Sequence, residues 1–134
     1  MTKERLSEAR RTLAQVLEKL TPLVDVLARR DPMLKGYLDS KPRTCGKPGC
    51  RCATGEKHPA WVLRIPQGHG SRSRSLPEAT YRRLEPLVEE YRRFRLAAVG
   101  WRQLVRAADS AIRQIESARL VEPEAEVERM KDGK

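Results

Sequence analysis

Three cysteines and a histidine fall within the fourteen residues from Cys45 to His58, and the chain has no other cysteine. Cys50 and Cys52 stand one residue apart, a poor spacing for a relaxed disulfide, and an odd count leaves one thiol over. The same spacing suits chelation. Cys45, Cys50, Cys52 and His58 supply the three thiolates and one imidazole of a tetrahedral zinc site. Such a site would fold the segment back on itself whatever its neighbours do, so it constrains the chain more than any propensity. Gly46, Pro48-Gly49 and Gly55 provide the bends it requires. A metal-free thiol cluster and a redox-active thiol are other readings of these residues. His69 is a reserve for the fourth ligand, against its reading as an exposed turn residue. Catalytic zinc would need an open coordination position and a general base. Glu56 is the one acid between residues 41 and 75, so the expectation is a structural metal and no enzyme.

Little else in the chain promises a thick core. Aromatic residues make up 4% of the 134 and charged residues 34%. Chains of this kind gain stability from helix packing, oligomerisation or a metal staple. The net charge of +10 points to an anionic partner, nucleic acid ahead of a membrane surface, with DNA favoured. No apolar run is long enough to span a bilayer, and the start, Met1-Thr2-Lys3-Glu4-Arg5, opens no apolar leader. With reduced thiols, this gives a cytoplasmic expectation without membrane contact.

The charge is concentrated. Residues 41–75 carry eight basic and one acidic side chain, whereas the tail 121–134 carries three and five. The basic segment is Gly- and Pro-rich, the kind of irregular segment on which binding residues tend to sit. Four regions follow. Residues 1–40 read as a helix and connector, with Leu6, Leu13, Leu20 and Leu27 at seven-residue intervals and Ala9, Val16, Leu17, Leu23 and Val24 between them. Pro22 predicts a kink or a restart capped by Thr21, and residues 31–44 read as a connector. Residues 41–76 hold the Cys3His loop and a β-hairpin, with strands over 60–65 and 71–76 around a turn at 66–70. Residues 77–120 read as a short helix to 84, a break at Pro86, and a long coiled-coil helix. Its seam takes Leu84, Tyr91, Ala98, Val105 and Ile112 with Leu87, Phe94, Trp101, Ala108 and Ile115. Gly100 lies within that helix off the seam. Residues 121–134 are charged and read as disordered.

The basic residues expected to meet a polyanion are Lys41, Arg43, Lys47, Arg51, Lys57, Arg64, Arg72 and Arg74, gathered by the loop and hairpin. Strand alternation puts Arg72 and Arg74 on one face. Arg95 and Arg102 join them because no acid lies three or four positions away on the helix. Phosphate contacts of this kind carry affinity and salt dependence without a base code. Trp61 reads as a packing residue over the ligand loop.

The stretch from Cys45 to about Tyr91 resembles an uncharacterised bacterial family of short proteins. The matching residues are Cys45, Gly46, Lys47, Pro48, Cys50, Cys52, Ala53, Gly55, His58, Pro77 and the turn from Glu78 to Arg83. The resemblance implies association with mobile genetic elements, beside transposase or integrase genes. The chain departs from the family pattern at Trp61-Val62-Leu63, where a tyrosine-rich run is usual. It departs again at Gly70–Ser75, where a Gly-Lys-x-Arg run is commoner.

The sequence thus predicts a mainly α protein with long coiled-coil-like helices and a small zinc-stapled β-hairpin. Its expected role is non-enzymatic nucleic-acid binding as an accessory factor of a transposase or integrase, with Zn2+ as cofactor and a homodimer as assembly. The alternative is a coiled-coil adaptor between proteins with no direct nucleic-acid role.

Overall fold

Leucine and alanine repeats make a continuous helix α1 of Lys3–Leu27, which runs through Pro22. Of the kink or restart expected at Pro22, the restart does not occur. The Thr21 hydroxyl bonds backward to the Leu17 carbonyl at 3.2 Å and so does not cap a new helix. The computed structural model describes residues 3–44 and 46–132, with the backbone alone for Cys52 and Asp132. After α1 come strand β1 (Tyr37–Asp39), a 3-10 turn (Arg51–Ala53), β2 (Val62–Gln67), β3 (Gly70–Ser75), α2 (Glu78–Arg119) and α3 (Pro123–Asp132). The chain is therefore mainly helical, with one small antiparallel sheet in the order β1-β2-β3. It divides into two compact units, one of residues 1–28 with 97–134 and one of residues 29–96.

In the first unit α1 runs antiparallel to the C-terminal part of α2. Leu23 lies beside Gly100, while Ala9 and Thr12 share a hollow with Ala107 and Ala111. Small residues make the contact: Ala9, Ala97 and Ala111 are between 2% and 5% exposed. Small seam residues let two helix axes approach closely. Leu84, Tyr91 and Ala98 of the expected seam are half-buried, but toward the C-terminal end of α2 the buried line is rotated by one position from the expected one. Leu87, Phe94, Trp101, Ala108 and Ile115 are half-buried, as the heptad required, but their companions are Glu90, Ala97, Leu104 and Ala111. Val105 and Ile112, assigned to the seam by the repeat, stay exposed. The pairs Ala97-Ala98, Leu104-Val105 and Ala111-Ile112 are apolar at both positions, so periodicity alone cannot choose between the two registers.

In the second unit α2 passes Pro86 without the expected break. Contacts on both sides hold it. Tyr81 is buried against Trp61, ring centroids 4.9 Å apart, and the Leu34 amide donates to the Leu87 carbonyl at 3.0 Å. One turn on, Glu90 is 5% exposed and accepts Arg29 Nε at 2.7 Å, with Arg93 Nη1 at 3.5 Å. A buried carboxylate is tolerated only with partners of this kind. Trp61 therefore packs on the start of α2, with the Arg82 guanidinium 5.0 Å from its ring.

The hairpin is tighter than expected. Gln67 pairs with Gly70, leaving a two-residue turn of Gly68 and His69. Gly68 has φ +59°, which a residue with a side chain adopts at a cost. Pro66 lies within β2 but beyond the reach of β1, so its missing amide costs the sheet no bond on that side. β1 was read as connector; three residues are too few for alternation to register.

The tail corrects the sequence reading most plainly. Residues 123–132 form a helix where disorder was expected. Glu122 caps it, its carboxylate accepting the Glu124 and Ala125 amides at 3.1 and 2.7 Å. Pro123 sits at the first helical position, acids occupy the first turn and bases the last. Arg129 pairs with Glu126, and Lys131 with Glu128 at 3.6 Å. Among the described residues no helix is long and apolar enough to cross a membrane.

Candidate metal centre and basic surface

The loop from residue 44 to 57 is closed by its backbone. Arg43 and His58 form an isolated antiparallel bridge, amide to carbonyl at 2.9 and 3.0 Å. Inside it Lys47-Pro48-Gly49-Cys50 makes a turn, with the Cys50 amide donating to the Lys47 carbonyl at 3.3 Å and Gly49 at φ +77°. Proline then glycine is the pair a type II turn demands. The 3-10 turn Arg51–Ala53 follows directly, and the Gly55 amide returns to the Arg51 carbonyl at 2.8 Å. These bends bring Cys50 Sγ to 3.2 Å from His58 Nε2. Sulfur and nitrogen ligands of one tetrahedral zinc, at about 2.3 and 2.0 Å from it, stand roughly 3.5 Å apart. The two groups thus fit adjacent vertices of a zinc site after a shift of a few tenths of an ångström. Cys45 and the Cys52 side chain lie outside the described residues. Among the described residues no group of three metal-ligating side chains occurs. His69 sits at the hairpin turn; His58 is the histidine at Cys50.

A carboxylate that the sequence reading missed fastens this loop to the sheet. Asp39, on β1, accepts the Lys41 amide at 3.1 Å, Arg43 Nη2 at 3.2 Å and Arg64 Nη2 at 3.3 Å. The Lys41 amide first, then the two guanidinium groups, hold its carboxyl below the ordinary aspartate range. Its signal in the sequence was slight: one acid just before a basic segment.

That latch alters the expected basic surface. Arg43 and Arg64 are engaged by Asp39 within the chain. Cross-strand partners share a sheet face. Arg74 pairs with Leu63 and Arg72 with Ile65, whereas Arg64 pairs with Tyr37 and Ser73. Arg72 and Arg74 therefore share one face, as alternation required, and Arg64 belongs to the opposite one. β3 is exposed throughout. Lys41, Lys47, Arg51 and Lys57 are exposed around the closed loop. Arg95 lies in the unit of residues 29–96 and Arg102 in the other.

No curated protein and no solved structure matches the chain. A family does match, over residues 3–86, a span that holds α1, the whole sheet and the Cys50–His58 loop and ends at Pro86 within α2. The match starts well before the Cys45 boundary of the resemblance, so α1 is as much part of the shared domain as the cysteine loop. By that match the chain belongs to the family described as a domain of unknown function, DUF6788.

Proposed function

We propose that this protein is a zinc-stabilised, non-enzymatic nucleic-acid-binding accessory factor of a mobile genetic element, working beside a transposase or integrase. The observation that carries this reading is the Cys50–His58 contact, held at the base of a closed loop in the most basic segment of the chain. Cys45 and Cys52 would complete the ligand set, and the metal's contribution would be to fix the loop's shape. Lys47, Arg51, Lys57 and Lys41 around the loop, with Arg72 and Arg74 on β3, would grip phosphates. The test has two parts. Metal analysis of purified protein should find one zinc per chain, and Cys50 alkylation should be slow until a chelator is added. Duplex binding followed across salt should weaken linearly on logarithmic axes. Fast labelling of metal-replete protein, or no binding at low salt, refutes the reading.

The first unit supports a homodimer. Leu13, Leu17 and Val24 on α1, with Val105 and Ile112 on α2, are between 36% and 69% exposed. Of these, Leu13 and Leu17 line a groove of about 920 Å³ with Leu6, Leu20, Ala108 and Ile115. Together the exposed side chains present on the order of 400 Å² of apolar surface, the size of the patches that mark interaction sites. That is close to the apolar share of the roughly 800 Å² each partner brings to a standard interface. A second copy offers the matching leucine row.

A second reading, a protein–protein adaptor without a nucleic-acid role, draws support from Asp39. It engages two of the ten basic residues expected to meet phosphate and offsets one of their two positive charges. Capture of the neighbouring transposase or integrase that survives nuclease, with no shift of labelled duplex, would favour it.

A further inference from the structure

A shallow cleft in the unit of residues 29–96 gathers residues that the proposed metal loop does not use. Lys35 and Tyr37 reach it from the connector and β1, Arg64 from β2, Ser71 from β3, and Tyr91 with Arg95 from α2. The sheet register puts Tyr37 directly across from Arg64, and Ser71 across from Pro66 two positions along the same face. Tyr91 and Arg95, four apart, share one side of α2. No acid lines the cleft. Arg64 is fixed in direction by Asp39, while Lys35 and Arg95 have no ion pair among the described residues. Tyr37 is 62% exposed, an unusual setting for a large ring beside three cations.

We propose that this cleft takes one nucleotide of a single-stranded nucleic acid, its phosphate on Lys35, Arg64 and Arg95 and its base stacked on Tyr37. The inference rests on the nucleic-acid reading above and adds a strand preference to it. The volume, about 330 Å³, lies at the small end of ligand pockets and suits one nucleotide. Lys35, Arg95 and the Asp39-paired Arg64, with the Ser71 hydroxyl, answer a phosphodiester, and an exposed aromatic face answers any base. Neither feature reads sequence, in keeping with a sequence-tolerant single-strand site.

Fluorescence anisotropy of the full chain with labelled oligothymidylate, oligouridylate and a duplex tests it. Tyr37→Ala should weaken single-strand binding by about 5- to 150-fold, the range for losing one stacked base, and leave duplex binding unchanged. Tyr37→Phe should restore it. Arg95→Gln should flatten the single-strand salt dependence by about 0.7 in logarithmic slope. This second variant lies on the exposed side of α2, so the test stands if Tyr37→Ala fails to fold. The two oligomers separate DNA from RNA as the source of the strand. Single-strand affinity unmoved by both variants, or lost equally on duplex, overturns this inference and leaves the metal-loop reading intact. Failure of the unaltered protein to bind any nucleic acid overturns both.

Discussion

Replacing Gly100 with alanine should stabilise the protein. Gly100 lies well inside α2, where glycine costs about 0.8–1.0 kcal/mol of helix propensity against alanine. Its φ is unexceptional, so only space could demand glycine there. An added Cβ would stand 3.4 Å from Leu23 Cδ1 and 4.0 Å from Cδ2, ordinary contact distances to the movable end of a side chain. The methyl therefore fills room between α1 and α2 and loses nothing to overlap. A gain of about 1 kcal/mol follows. With an unfolding entropy of roughly 2.1 cal/mol/K per residue, this should raise Tm by about 3–4 °C. Gly36 gives the matched control. A Cβ there would meet Leu63 Cδ1 at 3.0 Å and the Arg64 carbonyl oxygen at 3.3 Å, and backbone cannot yield as a leucine tip can. Gly36→Ala should lower Tm. Thermal melts followed by circular dichroism at the helix band decide both. A lower Tm for Gly100→Ala would refute the reasoning, because it would mean α1 packs on α2 more closely than these distances allow.

The other predictions concern the latch, the open face and the tail. Asp39 has a lowered carboxyl pKa in the native fold, so it contributes stability at neutral pH that is lost as pH falls below about 4 and through the lower native value. Asp39→Asn should reduce Tm at pH 7 and flatten its acid dependence; an unchanged acid profile would show that the latch adds nothing. Leu17→Glu, at a side chain 69% exposed, should convert a dimer to a monomer in light scattering with helix content preserved. A wild-type monomer at high concentration would refute the proposed interface. Glu122→Ala removes both carboxylate caps of α3 and should destabilise that helix by about 1 kcal/mol, seen as faster amide exchange at Glu124 and Ala125 with the rest of the chain unaffected.

The parts that the sequence revealed are those encoded locally. Pro48-Gly49 specified its turn, the run from Pro66 to Gly70 its hairpin, and the leucine repeats their helices. What it concealed was settled by distant partners. Pro22 and Pro86 signalled breaks by a local rule, yet α1 and α2 continue through them, in α2 with Tyr81, Leu87 and Glu90 anchored from elsewhere. Glu90, a charge on a predicted coiled coil, looked like an outer position until Arg29, sixty-one residues away, made it an inner one. The helix of residues 123–132 was hidden by its own composition: five acids in the tail suggested disorder, whereas their placement, capping acid first and bases last, is what a short helix needs. The approach of Cys50 to His58 was legible in the candidate ligand set. Its anchoring was not, because Asp39 lies before the motif and acts on it through two arginines that had been assigned to another task.

That anchoring gives the domain a reciprocal logic. Asp39 ties β1 to Arg43, the Arg43–His58 bridge closes the loop, and His58 meets Cys50. Each link is short and involves backbone or a side chain fixed by backbone. A metal bound at Cys50 and His58 would therefore act on the sheet as well as on the loop, since fixing His58 fixes Arg43 and orients the carboxylate that also holds Arg64. The converse holds by the same linkage: a sheet that has already aligned His58 with Cys50 has spent part of the ordering entropy that metal binding would otherwise have to overcome. Loop and sheet are thus joined by short contacts around β1, a strand of only three residues. Bound at one end by Asp39 and supported by the loop beyond it, the strand does not depend on its ladder alone.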